Sequence, residues 1–134
     1  MTAEQKKQDR KIILVEDDKM LADMYTTKFE KEGFHIMRAH DGAEGLEMVK
    51  QEKPDLVLLD IIMPKLDGFA VLREIRKMPE LKKTHVLLLT NLGQTEDVAK
   101  GHELGADDYF IKANHTPAEI VEKVKYMLAH LDTK

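Results

Sequence analysis

Three blocks of four apolar residues, with no polar residue interrupting them, constrain this chain more than any other feature: residues 12–15 (IILV), 56–59 (LVLL) and 86–89 (VLLL). Each is too short for a helix with its own buried face, and none shows the alternation of a sheet with one wet side. They fit strands covered on both faces, as in a parallel sheet. Residues 34–38 and 109–112 are two weaker strand candidates. Between these runs the spacing predicts helices over about 19–32, 42–52, 68–77, 95–104 and 117–131. In the first, Leu21, Met24, Tyr25, Lys28 and Phe29 recur at three- and four-residue intervals; in the last, Ile120, Val121, Val124, Met127, Leu128 and Leu131 make an apolar stripe. Gly33 and Gly105 fall where helices end, Asp41 and Thr116 where they begin, and Pro117 suits a first turn. Five β–α repeats joined by right-handed crossovers give an α/β fold: a doubly wound, five-stranded parallel sheet with helices on both faces. One domain over 11–131 is expected, with a polar extension at 1–10 and a tail at 132–134.

Composition narrows the function. A net charge of −4 offers no basic field for nucleic acid, and the absence of cysteine removes disulfides and thiolate metal sites. Six histidines at 35, 40, 85, 102, 115 and 130 form no pair four apart on one helix, which disfavours a histidine metal site. No apolar run approaches the ~18 residues that span a membrane, and the polar start MTAEQKKQDR has no signal-peptide core. A cytoplasmic location is the expectation.

Open parallel sheets bind ligands at the carboxyl ends of their strands. There the chain carries Glu16-Asp17-Asp18 after the first strand, Asp60 after the third, Thr90 after the fourth and Lys112 at the fifth. Only the second strand end lacks a polar group of useful type. A charge abutting LVLL must be paired or bind metal. Carboxylates, a hydroxyl and an ammonium at one edge suit phosphoryl transfer to a carboxylate, in which the protein chiefly positions groups and neutralises charge. Asp60 is the candidate nucleophile. Oxygen-only ligands favour Mg²⁺, and the cation turns crowded carboxylates into an asset.

The runs ILVEDD, PDLVLLDIIMPKLDGF, LLLT and GADDYFIK resemble the receiver domain of response regulators, and the separations of 43, 30 and 22 residues along 17, 60, 90 and 112 are family-like. In length the chain is most similar to CheY-type single-domain receivers, whose doubly wound sheet is flavodoxin-like. The resemblance covers about 11–131. It implies Asp60 as phosphoacceptor, modified to an aspartyl phosphate; Asp17 and Glu16 as metal ligands, the latter often through water; and the Ile62 carbonyl as a backbone ligand. Thr90 and Lys112 resemble the switch hydroxyl and phosphoryl-binding lysine, and Tyr109 the switch aromatic. The implied partners are a sensor histidine kinase or histidine phosphotransfer protein, and a protein target on the face of the fourth helix, fifth strand and fifth helix. Such a protein is not an enzyme beyond slow self-catalysed phosphorylation and dephosphorylation. Asp18, Pro64 and Asp67-Gly68 are expected to serve as caps and turns.

Two positions depart from the family pattern. Ala113 stands where proline usually follows the lysine, which leaves that loop's geometry open, and Asn91 stands where a small residue is usual. Apolar Ile62 and Leu92 flank the acceptor at positions that tune hydrolysis in the family. A haloacid-dehalogenase-type phosphatase would need a second Asp at position 62, and Glu16-Asp17-Asp18 would repel the phosphate of FMN. An unphosphorylated pseudo-receiver is opposed by the full set of site residues. A diffusible messenger, a phosphorelay intermediate and a receiver cut from a longer regulator all fit these 134 residues.

Overall fold

The computed structural model describes residues 10–131; the expected extension at 1–10, save Arg10, and tail at 132–134 lie outside the described residues. Five strands, β1 (Lys11–Val15), β2 (His35–Ala39), β3 (Leu56–Leu59), β4 (His85–Thr90) and β5 (Asp108–Ile111), form one parallel sheet in the order β2-β1-β3-β4-β5. Five helices separate them: α1 (Lys19–Lys31), α2 (Gly42–Glu52), α3 (Gly68–Arg76), α4 (Thr95–Glu103) and α5 (Pro117–Leu131). The order reverses between β1 and β3, which opens a crevice above their carboxyl ends.

Alternate residues of the apolar runs point to opposite faces, so each run feeds two cores. Ile12, Leu14, Leu56, Leu58, Leu87 and Leu89 pack with Tyr25 and Phe29 of α1 and with Ile120, Val124 and Leu128 of α5. Ile13, Val15, Val57, Leu59, Val86 and Leu88 pack with Val49 of α2 and with Val71, Leu72 and Ile75 of α3. Nearly all of these side chains are fully buried, each contributing roughly 1.5–3 kcal/mol. Met63 and Met78 lie half-buried against the second core and Met127 against the first, so all three fill gaps.

Local chemistry sets the helix ends. Asp18, Asp41 and Asp67 each accept the N–H three residues on, from Leu21, Glu44 and Ala70. Thr116 and Glu119 cap each other's backbone, with Glu119 N–H to Thr116 Oγ1 at 3.1 Å and Thr116 N–H to Glu119 Oε1 at 2.8 Å. Gly33 and Gly105 close α1 and α4 at φ of 90° and 101°. Element boundaries move by one residue at several ends, and β2 and β5 are displaced at both ends from the expected 34–38 and 109–112. Phe34 precedes β2 and packs edge-to-face on Phe29, ring centroids 5.6 Å apart. Lys112 lies past β5, in a short 3₁₀ turn over Lys112–Asn114. The described residues contain no cis peptide bond, so Lys112–Ala113 is trans.

Candidate functional site

At the end of β1 the Glu16 N–H donates to the Ala39 carbonyl (3.1 Å), and at the end of β3 the Asp60 N–H donates to the Val15 carbonyl (3.2 Å). These ladder-like bonds carry both carboxyl groups to the same edge, where Glu16 is 2% and Asp60 7% exposed. The Lys112 ammonium bridges them, 2.7 Å from Glu16 Oε1 and 2.8 Å from Asp60 Oδ2. The remaining oxygens bond to backbone: Glu16 Oε2 accepts from Asp18 N–H (3.1 Å) and Asp60 Oδ1 from Ile62 N–H (3.3 Å). Asp17 is exposed and completes a group of three carboxylates whose oxygens lie within 4.8 Å of one another.

Burial pushes the Glu16 carboxyl above its ordinary range, against the lowering bond and charge of Lys112. Burial pulls the Lys112 ammonium down, but its bonds to Asp60 and Glu16 outweigh that and raise it overall. The lysine is therefore a fixed cation that balances two carboxylates taken out of water.

Thr90 is fully buried at the end of β4, level with Ile111, and its Oγ1 accepts the Leu92 N–H at 3.4 Å. The Leu92 carbonyl in turn accepts the Tyr109 hydroxyl at 2.5 Å. One residue's backbone thus connects the hydroxyl at the site to the phenol on the outer face. The Tyr109 ring lies against Gly101 of α4, where an added Cβ would stand 3.1 Å from Cδ2. Burial foremost, with the charges of Asp97 and Asp60, pushes the Tyr109 phenol up to about 12. Ile62 is 58% exposed beside Asp60, and Asn91 is exposed at the mouth.

The structure brings together Glu16, Asp17, Asp60, Ile62, Thr90 and Lys112, with Tyr109 two hydrogen bonds from Thr90 through Leu92. The sequence reading gave no site role to two further contributors. The second strand end supplies Arg38, whose guanidinium donates to the Glu16 and Asp17 carbonyls at 3.1 and 3.2 Å. Gly68, expected as turn chemistry alone, also lets α3 approach the acceptor: an added Cβ would stand 2.2 Å from the Asp60 carbonyl oxygen. The motif D-G contained the signal for close backbone approach, but a helix cap explains the same pair.

Residues 12–125 match the family model described as the response regulator receiver domain. The chain belongs to that family. Over 118 residues this receiver is 39% identical to a probable transcriptional regulator, ycf27, of Guillardia theta; the match takes in 88% of the chain and 45% of that protein. The chain therefore spans about half the length of that curated relative. Among solved structures it is similar to the receiver domain of the Francisella response regulator 1452 (32% identity, TM-score 0.83, covering 92% of this chain and 99% of that one). It is also similar to a CheY-like receiver domain protein of Methanospirillum hungatei (26% identity, TM-score 0.86, covering 93% and 98%). No helix of the receiver, among the described residues, is long and apolar enough to cross a membrane.

The receiver's donor set fits a hard divalent cation: three carboxylates and nearby backbone carbonyls, all oxygen, at a partly open edge.

Proposed function

We propose that this receiver accepts a phosphoryl group on Asp60 from a phosphohistidine of a sensor kinase or phosphotransfer protein, with Mg²⁺ held by Glu16, Asp17, Asp60 and the Ile62 carbonyl. The observation that carries this reading is the cationic bridge of Lys112 across Glu16 and Asp60, beside the Asp17 carboxylate, which no group bonds among the described residues. Bound Mg²⁺ would supply charge neutralisation at the carboxylates and the transferring phosphoryl oxygens.

In the transfer an Asp60 oxygen bonds to phosphorus as the donor's N–P bond breaks, and the imidazole leaves. Asp60 is oriented for this by the Ile62 N–H on one oxygen and by Lys112 on the other. Lys112, already 2.8 Å from Asp60, follows the new charge onto a phosphoryl oxygen. The Thr90 hydroxyl gives up its long contact with the Leu92 N–H and donates to a second phosphoryl oxygen. Because the Leu92 carbonyl holds Tyr109, that movement shifts the phenol and repacks the face of α4, β5 and α5, which is offered to a downstream protein. The receiver is a phosphoacceptor whose own chemistry is slow self-phosphorylation and hydrolysis, and it works in the cytoplasm.

The test is incubation with acetyl phosphate and Mg²⁺ followed by mass spectrometry. Wild type gains one phosphoryl mass and Asp60→Asn gains none. Equal labelling of both, or no labelling of wild type, would overturn the reading in favour of a different acceptor or an unphosphorylated interaction module.

A further inference from the structure

We infer that Arg38 is a positioning residue for the metal-binding loop, holding Glu16 and Asp17 in ligating orientation through their backbone; this rests on the reading of the acidic group as a Mg²⁺ site. Arg38 lies on β2 opposite Leu14, and the next residue, Ala39, accepts the Glu16 N–H through its carbonyl. Its half-buried guanidinium then closes over the turn, Nε to the Glu16 carbonyl and Nη2 to the Asp17 carbonyl. Two consecutive peptide planes are thereby fixed, and these belong to the residues that offer the carboxylates.

The need for such a device differs between the two acids. Both oxygens of Glu16 have partners, Lys112 and the Asp18 N–H. The Asp17 carboxylate is exposed and, among the described residues, no group bonds it. Its orientation toward Glu16 and Asp60 depends on the backbone beneath it. A planar guanidinium fork can grip two carbonyls at once, which a single ammonium cannot reproduce. Groups that orient metal ligands from behind commonly account for 10- to 100-fold in affinity.

A rival effect has the opposite sign. Arg38 is a cation near a cation site, so by charge alone its removal would tighten Mg²⁺ binding. Asp23 of α1 lies in its field and offsets part of that charge; Lys19 is Asp23's principal partner and Arg38 the lesser. If positioning dominates, loss of Arg38 weakens binding.

The experiment titrates Mg²⁺ into wild type, Arg38→Ala and Arg38→Lys by calorimetry. It also records metal-free melting of each and the initial rate of phosphorylation by acetyl phosphate at saturating Mg²⁺. The expected result is a Kd raised at least about tenfold in both variants, with the saturated rate within about twofold of wild type. A merely structural clamp would lower metal-free melting and leave Kd unmoved. An unchanged or lower Kd in Arg38→Ala, or full recovery of Kd in Arg38→Lys, overturns the inference while wild-type binding leaves the proposed function standing. Absence of Mg²⁺ binding by wild type removes both.

Discussion

Replacing Lys112 with methionine keeps most of the stem and deletes the charge between two buried carboxylates. In the wild type the ammonium sits 2.7 Å from Glu16 and 2.8 Å from Asp60, with 2% and 8% of their side chains exposed. Breaking a buried ion pair by removing one partner typically costs about 3–5 kcal/mol, because the other charge is stranded. The carboxyls can limit that loss by taking up one proton and sharing it. Protonating Glu16 at pH 7, against a reference value of 4.5, costs about 3.4 kcal/mol at roughly 1.4 per unit. We therefore expect Lys112→Met to be about 3 kcal/mol less stable at pH 7 without metal, a fall of about 10 °C in melting temperature. The deficit has a definite pH signature. The variant's folded state holds a carboxyl proton that its unfolded state releases, so stability returns as pH falls from 7 toward 4.5. Mg²⁺ should also stabilise the variant more than the wild type, since it replaces the missing positive charge. Urea unfolding at pH 7 and at about 5, each with EDTA and with Mg²⁺, measures all three effects. Stability equal to wild type at pH 7 would refute the reasoning, as would a deficit that grows on acidification.

Four further outcomes follow from the geometry. Gly68→Ala places a Cβ against the Asp60 carbonyl and should destabilise by about 1–3 kcal/mol, read from the denaturant midpoint. Tyr109→Phe loses the bond to the Leu92 carbonyl, worth about 1 kcal/mol. The folded phenol holds its proton up to about 12 against an ordinary 10. Its contribution is therefore full below pH 10 and lost as pH rises toward about 12, a slope that unfolding curves should show in wild type and not in the Phe variant. Asp17→Ala should abolish most of the rise in melting temperature that Mg²⁺ gives wild type, and raise metal-free stability by relieving like charge. The phosphoryl group should be long-lived, because apolar Ile62 and Leu92 flank the water's approach. Ile62 is 58% exposed, whereas Leu92 packs on the second core, so radiolabel decay should quicken more in Ile62→Asn than in Leu92→Glu.

The fold was legible because its signals are local. IILV, LVLL and VLLL fit strands buried on both sides, and Asp18, Asp41, Asp67 and Thr116 start helices by accepting or sharing bonds three residues away. The convergence of Glu16, Asp60, Thr90 and Lys112 was legible for a related reason: in a parallel sheet, whatever follows each strand arrives at one edge. Arg38 was not legible, because its partners are backbone carbonyls 21 and 22 residues away and any residue type would present them. Gly68 was half legible: the cap on Asp67 explains the pair, and the closeness of α3 to Asp60 exists only once the helix has packed.

The placement of Lys112 ties the proposed signalling to the edge of the sheet. β5 is a four-residue strand that, among the described residues, pairs with β4 alone, and Thr90 lies level with Ile111, so the lysine emerges one residue past the hydroxyl. The 3₁₀ turn over Lys112–Asn114 follows with a trans peptide, closed by a His115 N–H to Lys112 carbonyl bond of 3.3 Å. The ammonium's pair of bonds to carboxylates just past β1 and β3, 96 and 52 residues away, helps to hold this segment in place, as does the edge-to-face contact of His115 with Phe110. β5 is also held along its length by its register with β4 and at its start by the paired bonds of Asp107 and Val86, so the ammonium adds an anchor at the one end that lies beside the carboxylates. In the proposed function a phosphoryl group on Asp60 alters the charge beside Lys112 directly, and β5 carries Tyr109 three residues earlier. The proposed coupling between site and outer face has two routes, one through the Leu92 backbone and one along β5, and Tyr109→Phe, which cuts the first, should weaken the surface response without preventing phosphorylation.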